Sequence, residues 1–356
     1  MKKYLYNLAT DKERGFLSAL LKPLLFVLSL IYGLIVRVLI FINTGNQYRL
    51  KAKVISIGNI TLGGTGKTSL VEYIARYLSG SRHKLAILSR GYKRRSCGCA
   101  GQALAHDVMG DETHMLQKNL GVPVIVDSDR VRGGNLAIKE GHPDTLILDD
   151  GFQQWRIKKD LEIVTIDAAN PFGNGCLLPR GILREPLFSL GRADIFMLAK
   201  TNLTPDTQKI KHKLKELNPR ALIADSVHAP AGFYELGGPG KLLSTEELKG
   251  KTVILISGIG DPASFEQLIS GLGVKIGISL RFEDHYNYSR EDLEKAALAA
   301  KEKNIDIFVT TEKDAARLTP EVAVLRGLKV LVLRIELKII ANEKEFHNRL
   351  LKLYSL

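Results

Sequence analysis

Cysteine is scarce in this chain: its 356 residues include only Cys97, Cys99 and Cys176. Three cysteines cannot build a disulfide framework, and so small a number suits a reducing compartment. Because no second Cys/His pair stands at ligand spacing, Cys97 and Cys99 are expected to lie in an ordinary loop rather than at a metal. A recognised nucleic-acid-binding module is missing as well, so the sequence argues against a nucleic-acid partner.

Acidic residues are outnumbered, with 38 Asp and Glu against 51 Lys and Arg, which gives a formal net charge of +13. A basic protein favours an acidic partner, but nucleic acid, anionic lipid and a phosphorylated substrate all meet that condition. Hydrophobic residues make up 45% of the chain, enough for a substantial core. The length favours two domains over one.

The N-terminal region is unusually apolar, since two charges and one proline alone interrupt residues 16–42. The charge-free run, residues 24–36, is shorter than the ~20 residues of a spanning helix. A signal peptide fits badly because the apolar part starts late and no small-residue cleavage pattern follows. We therefore expect residues 1–44 to form an amphipathic helix in the membrane interface, with a true span or a buried core helix as alternatives. The basic flank favours an anionic cytoplasmic leaflet.

A glycine-rich turn between a strand and a helix is the strongest functional signal. Residues 53–58 resemble a buried strand, and residues 69–79 place their apolar side chains on one helical face. Strand, turn and helix in this order form a phosphate-binding loop, whose N–H groups and helix dipole hold an anion. The predicted nucleotide-binding residues are Thr61, Leu62, Gly63, Gly64, Thr65, Gly66, Lys67, Thr68 and Ser69.

Two side chains of this loop carry its chemistry. Lys67 is expected to contact the β- and γ-phosphates, and the Thr68 hydroxyl to bind Mg²⁺. The usual pattern has glycine where this chain has Thr61, so we interpret the loop as a variant whose other glycines supply the flexibility. The alternative is a plain glycine-rich turn with a solvated Lys67.

Asp149 and Asp150 provide the second strong signal, since they end an apolar run that predicts a strand. Two adjacent carboxylates repel each other and require a cation or a donor nearby. Beside a phosphate loop, such a pair holds Mg²⁺ or its water ligands. The sequence therefore predicts that Asp149 and Asp150 lie at the nucleotide phosphates.

Three further residues stay ambiguous on residue type alone. Arg90 follows a predicted strand and is a candidate for an anionic substrate group, or part of a solvated basic loop. Asp111 suits an N-terminal helix cap as well as chemistry. His285, in a loop of the C-terminal half, is by residue type more often a surface histidine than a catalytic one.

Alternating strands and helices predict an α/β fold, a P-loop NTPase-like doubly wound sheet in residues 45–228. Around residues 225–241 the composition shifts to His, Pro, Ala and Gly, which suggests a domain junction. A second, smaller α/β domain is expected over residues 229–356.

Six motifs in this order resemble the tetraacyldisaccharide 4′-kinase family, which makes lipid A at the inner membrane of Gram-negative bacteria. They occupy residues 58–68, 89–92, 110–112, 149–153, 179–186 and 284–285. The resemblance implies ATP and Mg²⁺, and transfer of the γ-phosphate to the 4′-hydroxyl of an acylated glucosamine disaccharide 1-phosphate. It also implies that the protein acts at the cytoplasmic face of the bacterial inner membrane, on an anionic membrane surface. No protein partner is predicted.

The same resemblance implies roles for individual residues. Asp111 would accept the proton of the sugar hydroxyl, and His285 would pair with Asp111 and hold it ionised. The residues expected around Mg²⁺ are Thr68, Asp149, Asp150 and Glu185. Those expected at phosphates or substrate are Arg90, Gln153 and Arg184.

Two other functions remain open at this stage. A GTPase-like protein or soluble small-molecule kinase would differ in its nucleotide or acceptor. A membrane-tethered nucleotide-binding adaptor would hydrolyse nucleotide slowly and bind a partner protein, whereas the lipid kinase would turn over only with a glycolipid.

Overall fold

The computed structural model describes residues 7–13, 15–90, 116–117, 120–204, 206–238, 241–284, 286–318, 325 and 327–355. Its helices are α1 (Phe16–Gly45), α2 (Lys67–Gly80), α3 (Arg130–Gly141), α4 (Gln208–Leu217), α5 (Pro262–Gly271), α6 (Arg290–Lys303), α7 (Glu312–Leu318) and α8 (Glu343–Leu351). Its strands are β1 (Lys53–Asn59), β2 (Leu85–Ser89), β3 (Val124–Val126), β4 (Thr145–Asp149), β5 (Leu161–Asp167), β6 (Ile195–Ala199), β7 (Leu222–Glu235), β8 (Thr252–Ser257), β9 (Lys275–Arg281), β10 (Ile307–Thr311) and β11 (Lys329–Ala341).

The chain forms two compact units, which we call unit 1 (Met1–Val227 with Leu337–Leu356) and unit 2 (His228–Glu336). In unit 1 the strands run in the order β3-β2-β4-β1-β5-β6-β7, and these neighbours pair in parallel. The strands are buried on both faces and apolar nearly throughout, as parallel sheets require. The carboxyl ends of β1 and β4 therefore meet at one edge of the sheet.

Helices cover both faces of the sheet in unit 1. On one face, α2 and α8 pack against β1, β4 and β5 through side chains such as Leu70, Ile74, Phe346 and Leu350. On the other face, α3 and α4 cover the sheet in two separate apolar clusters. This arrangement is the doubly wound α/β sheet that the sequence predicts.

The division between the two units falls one residue from the predicted boundary, since unit 2 begins at His228 where residue 229 was predicted. Strand β7 runs through this junction as one strand, with Phe233 fully buried. The C-terminal residues are assigned differently. Residues 337–356 were assigned to the second domain, whereas the structure places them in unit 1. The reason is apolar packing, since Phe346 and Leu350 are fully buried in the core around α2.

Unit 2 is a smaller α/β unit. Its strands β11, β10, β8 and β9 pair in parallel in that order. Phe265 and Ile269 of α5 fill the core on one face, and Leu293 and Ala296 of α6 fill the core on the other. Polar caps begin both helices, with Asp261 before α5 and a Ser289 capping box before α6.

Helix α1 packs a narrow stripe against unit 1 and exposes its remaining faces. The buried residues of the stripe are Ser18, Ser29, Gly33 and Val36. A Cβ at Gly33 would lie 2.6 Å from Cδ1 of Leu177, so the helix approaches that loop as closely as glycine permits. Most of its large apolar side chains are exposed, and within the described ranges only α1 is long and apolar enough to cross a membrane.

Candidate active site

The phosphate-binding loop joins β1 to α2 at the carboxyl edge of the sheet. Thr61 pairs in an isolated antiparallel bridge with Leu183, and the N–H of Leu62 donates to the carbonyl of Ile182 at 2.8 Å. The backbone at Thr61 is thus extended, a conformation that threonine adopts readily, which explains why glycine is not required there. The positive φ angles fall later, at Gly63 (118°) and Gly66 (79°).

The first turn of α2 is open to an anion. Gly66 is the N-cap residue, and no side chain caps the helix. The first N–H groups of a helix have no partner within the helix, which suits the start of α2 to an anion. The loop is also fixed to β5, because the buried hydroxyls of Thr65 and Thr165 share a hydrogen bond of 2.7 Å.

Asp150 joins the loop to two cations. Its carboxylate accepts two hydrogen bonds from the Arg184 guanidinium, at 2.8 and 3.1 Å, and lies 3.6 Å from Nζ of Lys67. Burial opposes ionisation of this carboxyl group, but the hydrogen bonds from Arg184 and the charge of Lys67 outweigh burial and lower the pKa of Asp150. The structure therefore brings together three residues that the sequence predicted as site residues.

The turn after β4 holds both carboxylates close to β1. Asp149 is buried at the end of the strand, and Asp150 adopts a positive φ of 55°. The N–H of Gly151 donates to the carbonyl of Ile57 at 2.9 Å. A Cβ on Gly151 would approach the Ser56 hydroxyl to 2.3 Å, so a glycine is needed for this contact.

Glu185, which the family resemblance implies as a Mg²⁺ ligand, holds the turn after β4 through hydrogen bonds. It is fully buried, and one carboxylate oxygen accepts from Gln153 at 3.0 Å and from Trp155 at 3.1 Å. The other oxygen accepts from Arg192 at 2.8 Å. Both oxygens are thus engaged by donors of the turn and of Arg192, and the role of Glu185 at the metal stays a prediction.

The remaining predicted residues fall into three groups. Gln153 also donates to the carbonyl of Asn59 at 3.2 Å, and so connects the turn to β1. Arg90 is exposed immediately after β2. Asp111 and His285 lie outside the described residues, and their roles stay predictions.

Comparisons with known proteins bear on this geometry. A family model described as Tetraacyldisaccharide-1-P 4′-kinase matches residues 21–355. The chain belongs to the tetraacyldisaccharide 4′-kinase family. A relative of that name from Halothermothrix orenii is 37% identical over 341 residues, which cover 90% of this chain and 88% of the relative. Another, from Elusimicrobium minutum, is 36% identical over 337 residues, covering 90% of this chain and 88% of the relative.

A solved structure supports the same assignment. The crystal structure of LpxK from Aquifex aeolicus in complex with ATP matches with a TM-score of 0.75 and 29% identity, covering 94% of this chain and all of that one (100%). The predicted P-loop NTPase-like fold is confirmed. The predicted activity, ATP-dependent phosphorylation of the lipid A precursor, is confirmed by family membership.

Arg130 is a candidate site residue that sequence reasoning missed. It starts α3 and is only 2% exposed, with Nη1 donating to the carbonyl of Ser89 at 2.8 Å. Burial lowers the pKa of Arg130 to about 10, while the charges of Asp149 and Asp150 act in the opposite direction. Its Nε and Nη2 have no hydrogen-bond partner within the described residues. A buried guanidinium with spare donors beside two carboxylates is suited to an anionic group.

Proposed function

We propose that unit 1 binds ATP at the first turn of α2 and transfers its γ-phosphate to the 4′-hydroxyl of a tetraacylated glucosamine disaccharide 1-phosphate. The observation that carries this proposal is the convergence of Lys67, Arg184 and Asp150 beside an uncapped helix N-terminus. Phosphoryl transfer needs positioning and charge neutralisation more than covalent chemistry from the protein. The N–H groups and cations of this site provide both.

Lys67 neutralises the β- and γ-phosphates, and the backbone of residues 61–69 holds the triphosphate. Arg184 is held in place through its bidentate pair with Asp150, and Nη1 also donates to Oδ1 of Asn59 at 3.1 Å. Arg90 and Arg130 follow β2 and β3 at the same sheet edge, where open α/β sheets bind ligands. We assign them, with Gln153, to anionic or polar groups of the substrate.

The residues at the site fit a magnesium ion. Among the residues that the structure describes, no three His, Cys, Asp or Glu side chains are grouped to enclose a metal. Mg²⁺ in kinases binds one or two carboxylates and the substrate phosphates, so a full protein cage is not required. Asp149, Asp150 and the Thr68 hydroxyl would provide the oxygen donors, and Glu185 stays a further predicted ligand. The ion would neutralise charge that develops on the transferred phosphoryl group.

Asp111 is the proposed base, and His285 orients it. A carboxylate with an ordinary pKa near 4 removes a hydroxyl proton only late in the reaction. This suits the loose transition state of phosphoryl transfer, in which the nucleophile gains positive character late. In this proposal His285 keeps the base ionised and does not remove the substrate proton itself.

Helix α1 connects the site to the membrane in this proposal. The Tyr32 hydroxyl donates to the carbonyl of Arg184 at 2.9 Å, and Arg37 lies 5.7 Å from the ring centroid of Phe188. The packed stripe of α1 therefore contacts the segment that carries Arg184, while its other faces present apolar side chains. We infer that α1 lies in the interface at the cytoplasmic face of the bacterial inner membrane, beside anionic lipid.

The catalytic proposal is tested with Lys67→Ala. Purified protein is incubated with labelled ATP and the lipid disaccharide, and the position of the new phosphate is determined. Lys67→Ala should abolish turnover and leave the protein folded, whereas the exposed Lys51→Ala serves as control and should retain both turnover and fold. Near-normal phosphorylation by Lys67→Ala would refute the phosphate-loop assignment.

The membrane proposal is tested with two leucines of matched exposure, Leu34 in α1 (62%) and Leu298 in α6 (63%). Leu34→Glu should weaken cosedimentation with vesicles that contain anionic lipid, because it places a charge on the inserted face. Leu298→Glu should bind as the wild type does. Release of the wild type by high salt alone would contradict apolar insertion, since salt screens charge attraction but not burial.

A further inference from the structure

A lysine is buried beneath the turn that carries the paired carboxylates. Lys159, whose side chain is 9% exposed, donates from Nζ to the carbonyl of Gly151 at 2.7 Å and to that of Phe152 at 3.3 Å. These carbonyls belong to the two residues that directly follow Asp150. The ammonium therefore fixes the backbone of the turn.

The charge of Lys159 is matched by one buried carboxylate. Glu162 of β5, with a 7% exposed side chain, accepts from the same ammonium. Burial lowers the pKa of Lys159 and raises the pKa of Glu162, while the attraction between the two groups opposes both shifts. Neutral side chains at positions 159 and 162 would also leave no net charge in the core. Charge balance alone therefore does not explain why position 159 is a lysine.

Arg192 holds the same turn from a second direction. Its guanidinium carbon lies 4.4 Å from the ring centroid of Phe152, and its Nη2 pairs with Glu185, which accepts from Gln153. Three consecutive residues after Asp150 are thus held by charged groups, of which Lys159 and Glu185 are buried. Such redundancy is more than the packing of one surface turn requires.

We infer that Lys159 is a positioning residue for phosphoryl transfer, which fixes the turn after β4 and thereby orients Asp149 and Asp150. The inference rests on the proposed role of these two carboxylates. Groups that orient ligating carboxylates typically change activity by about 10- to 100-fold when they are lost. The same loss is expected here in kcat, with a smaller change in nucleotide affinity because the N–H groups of α2 are untouched.

Four variants separate positioning from charge balance: Lys159→Met, Glu162→Gln, the double variant, and the exposed neighbour Lys158→Met as control. Lys159→Met removes the bonds to both carbonyls and leaves Glu162 unpaired. Glu162→Gln keeps the bonds to the carbonyls and removes the pair. The double variant restores charge balance without restoring those bonds.

Three quantities are measured on the full chain: kcat, the dissociation constant of a fluorescent ATP analogue, and the emission of Trp155. Trp155 is the single tryptophan of the chain, and its Nε1 donates to Glu185 at 3.1 Å, three residues beyond Phe152. Its emission therefore reports the position of the turn without reference to catalysis. Melting temperatures show whether each variant folds.

We expect kcat to fall in every variant that lacks Lys159. Stability should fall in the single variants, in which one buried charge has no partner. We expect the double variant to recover its melting temperature, yet to keep a 10- to 100-fold lower kcat and a shifted Trp155 emission. Lys158→Met should match the wild type. Wild-type kcat in a folded double variant would overturn the inference.

If the double variant fails to fold, Glu162→Gln decides. Retention of kcat within about threefold by Glu162→Gln supports positioning by Lys159. A loss of kcat equal to that of Lys159→Met overturns it, because the pair rather than the carbonyl contacts would then matter. Failure of the proposed function would appear separately, as an active Lys67→Ala enzyme.

Discussion

Replacing Glu185 with alanine should destabilise unit 1 strongly. Glu185 is fully buried and accepts hydrogen bonds from Gln153, Trp155 and Arg192. Each neutral buried donor left without a partner costs about 1–3 kcal/mol. Arg192 is 26% exposed and can hydrogen-bond to water instead. Losing its bond to Glu185 therefore costs less than losing the bond of a fully buried partner. The expected sum is about 3–5 kcal/mol.

The assay is a thermal melt followed by Trp155 emission, which reports unit 1 because the chain has no other tryptophan. With ~2–4 °C per kcal/mol for a unit of this size, the midpoint should fall by on the order of 10 °C. The exposed Glu216→Ala is the control, and its midpoint should stay at the wild-type value. A Glu185→Ala midpoint within about 2 °C of the wild type would refute the reasoning.

A milder change at the same position separates an anchor from a metal ligand. Glu185→Gln keeps an acceptor for Gln153 and Trp155 but removes the charge that faces Arg192. An anchor predicts a lower midpoint with an unchanged Mg²⁺ concentration for half-maximal rate. A ligand to Mg²⁺ predicts the reverse, a higher Mg²⁺ requirement with little change in the midpoint, and that result would support the role that the family resemblance implied.

Two further substitutions test the packing and the electrostatics of unit 1. Gly58→Ala places a Cβ 2.5 Å from Cβ of Phe152 and should cost about 1–3 kcal/mol, whereas Gly191→Ala, with no atom within 4 Å, should not lower the melting temperature. At Asp11, hydrogen bonds from Lys22, Asn174 and Arg180 hold the pKa well below its usual range. A carboxyl group whose pKa is lowered by folding contributes its full stabilisation above its unfolded-state pKa near 4. This stabilisation is lost as the pH falls through the folded-state pKa. Asp11→Asn should therefore melt below the wild type at neutral pH, and the gap should narrow progressively as the pH falls below about 4; a gap as wide at pH 2 as at pH 7 would contradict this.

The nucleotide loop could be predicted from the sequence because its signals are local. The strand, the glycines and the amphipathic helix are adjacent in the chain, and together they require one backbone path from β1 to α2. The same holds for Asp149 and Asp150, since a buried strand that ends in two carboxylates places them at the sheet edge. The apolar residues of α1 likewise predict an exposed hydrophobic helix from composition alone.

Residues that act through distant partners could not be predicted in this way. Arg130 and Lys159 resemble ordinary surface cations in the sequence, and only tertiary packing buries their charges beside Asp149 and beneath Gly151. Glu185 has the residue type of a Mg²⁺ ligand, yet its three donors lie 7 to 32 positions away in the chain. The burial of a charge depends on which elements close over it, and that is decided by the tertiary structure.

The sequence by itself therefore determined the α/β fold, the phosphate-binding loop, the paired carboxylates and the family. The tertiary structure decided which charges meet, because Asp150 and Arg184 are 34 positions apart and become a bidentate pair only when the sheet forms. It also decided that residues 337–356 return to unit 1, where α8 buries Phe346 against α2. Local patterns specify strands and helices, but the pairing of buried charges and apolar faces over long chain separations is a property of the folded molecule.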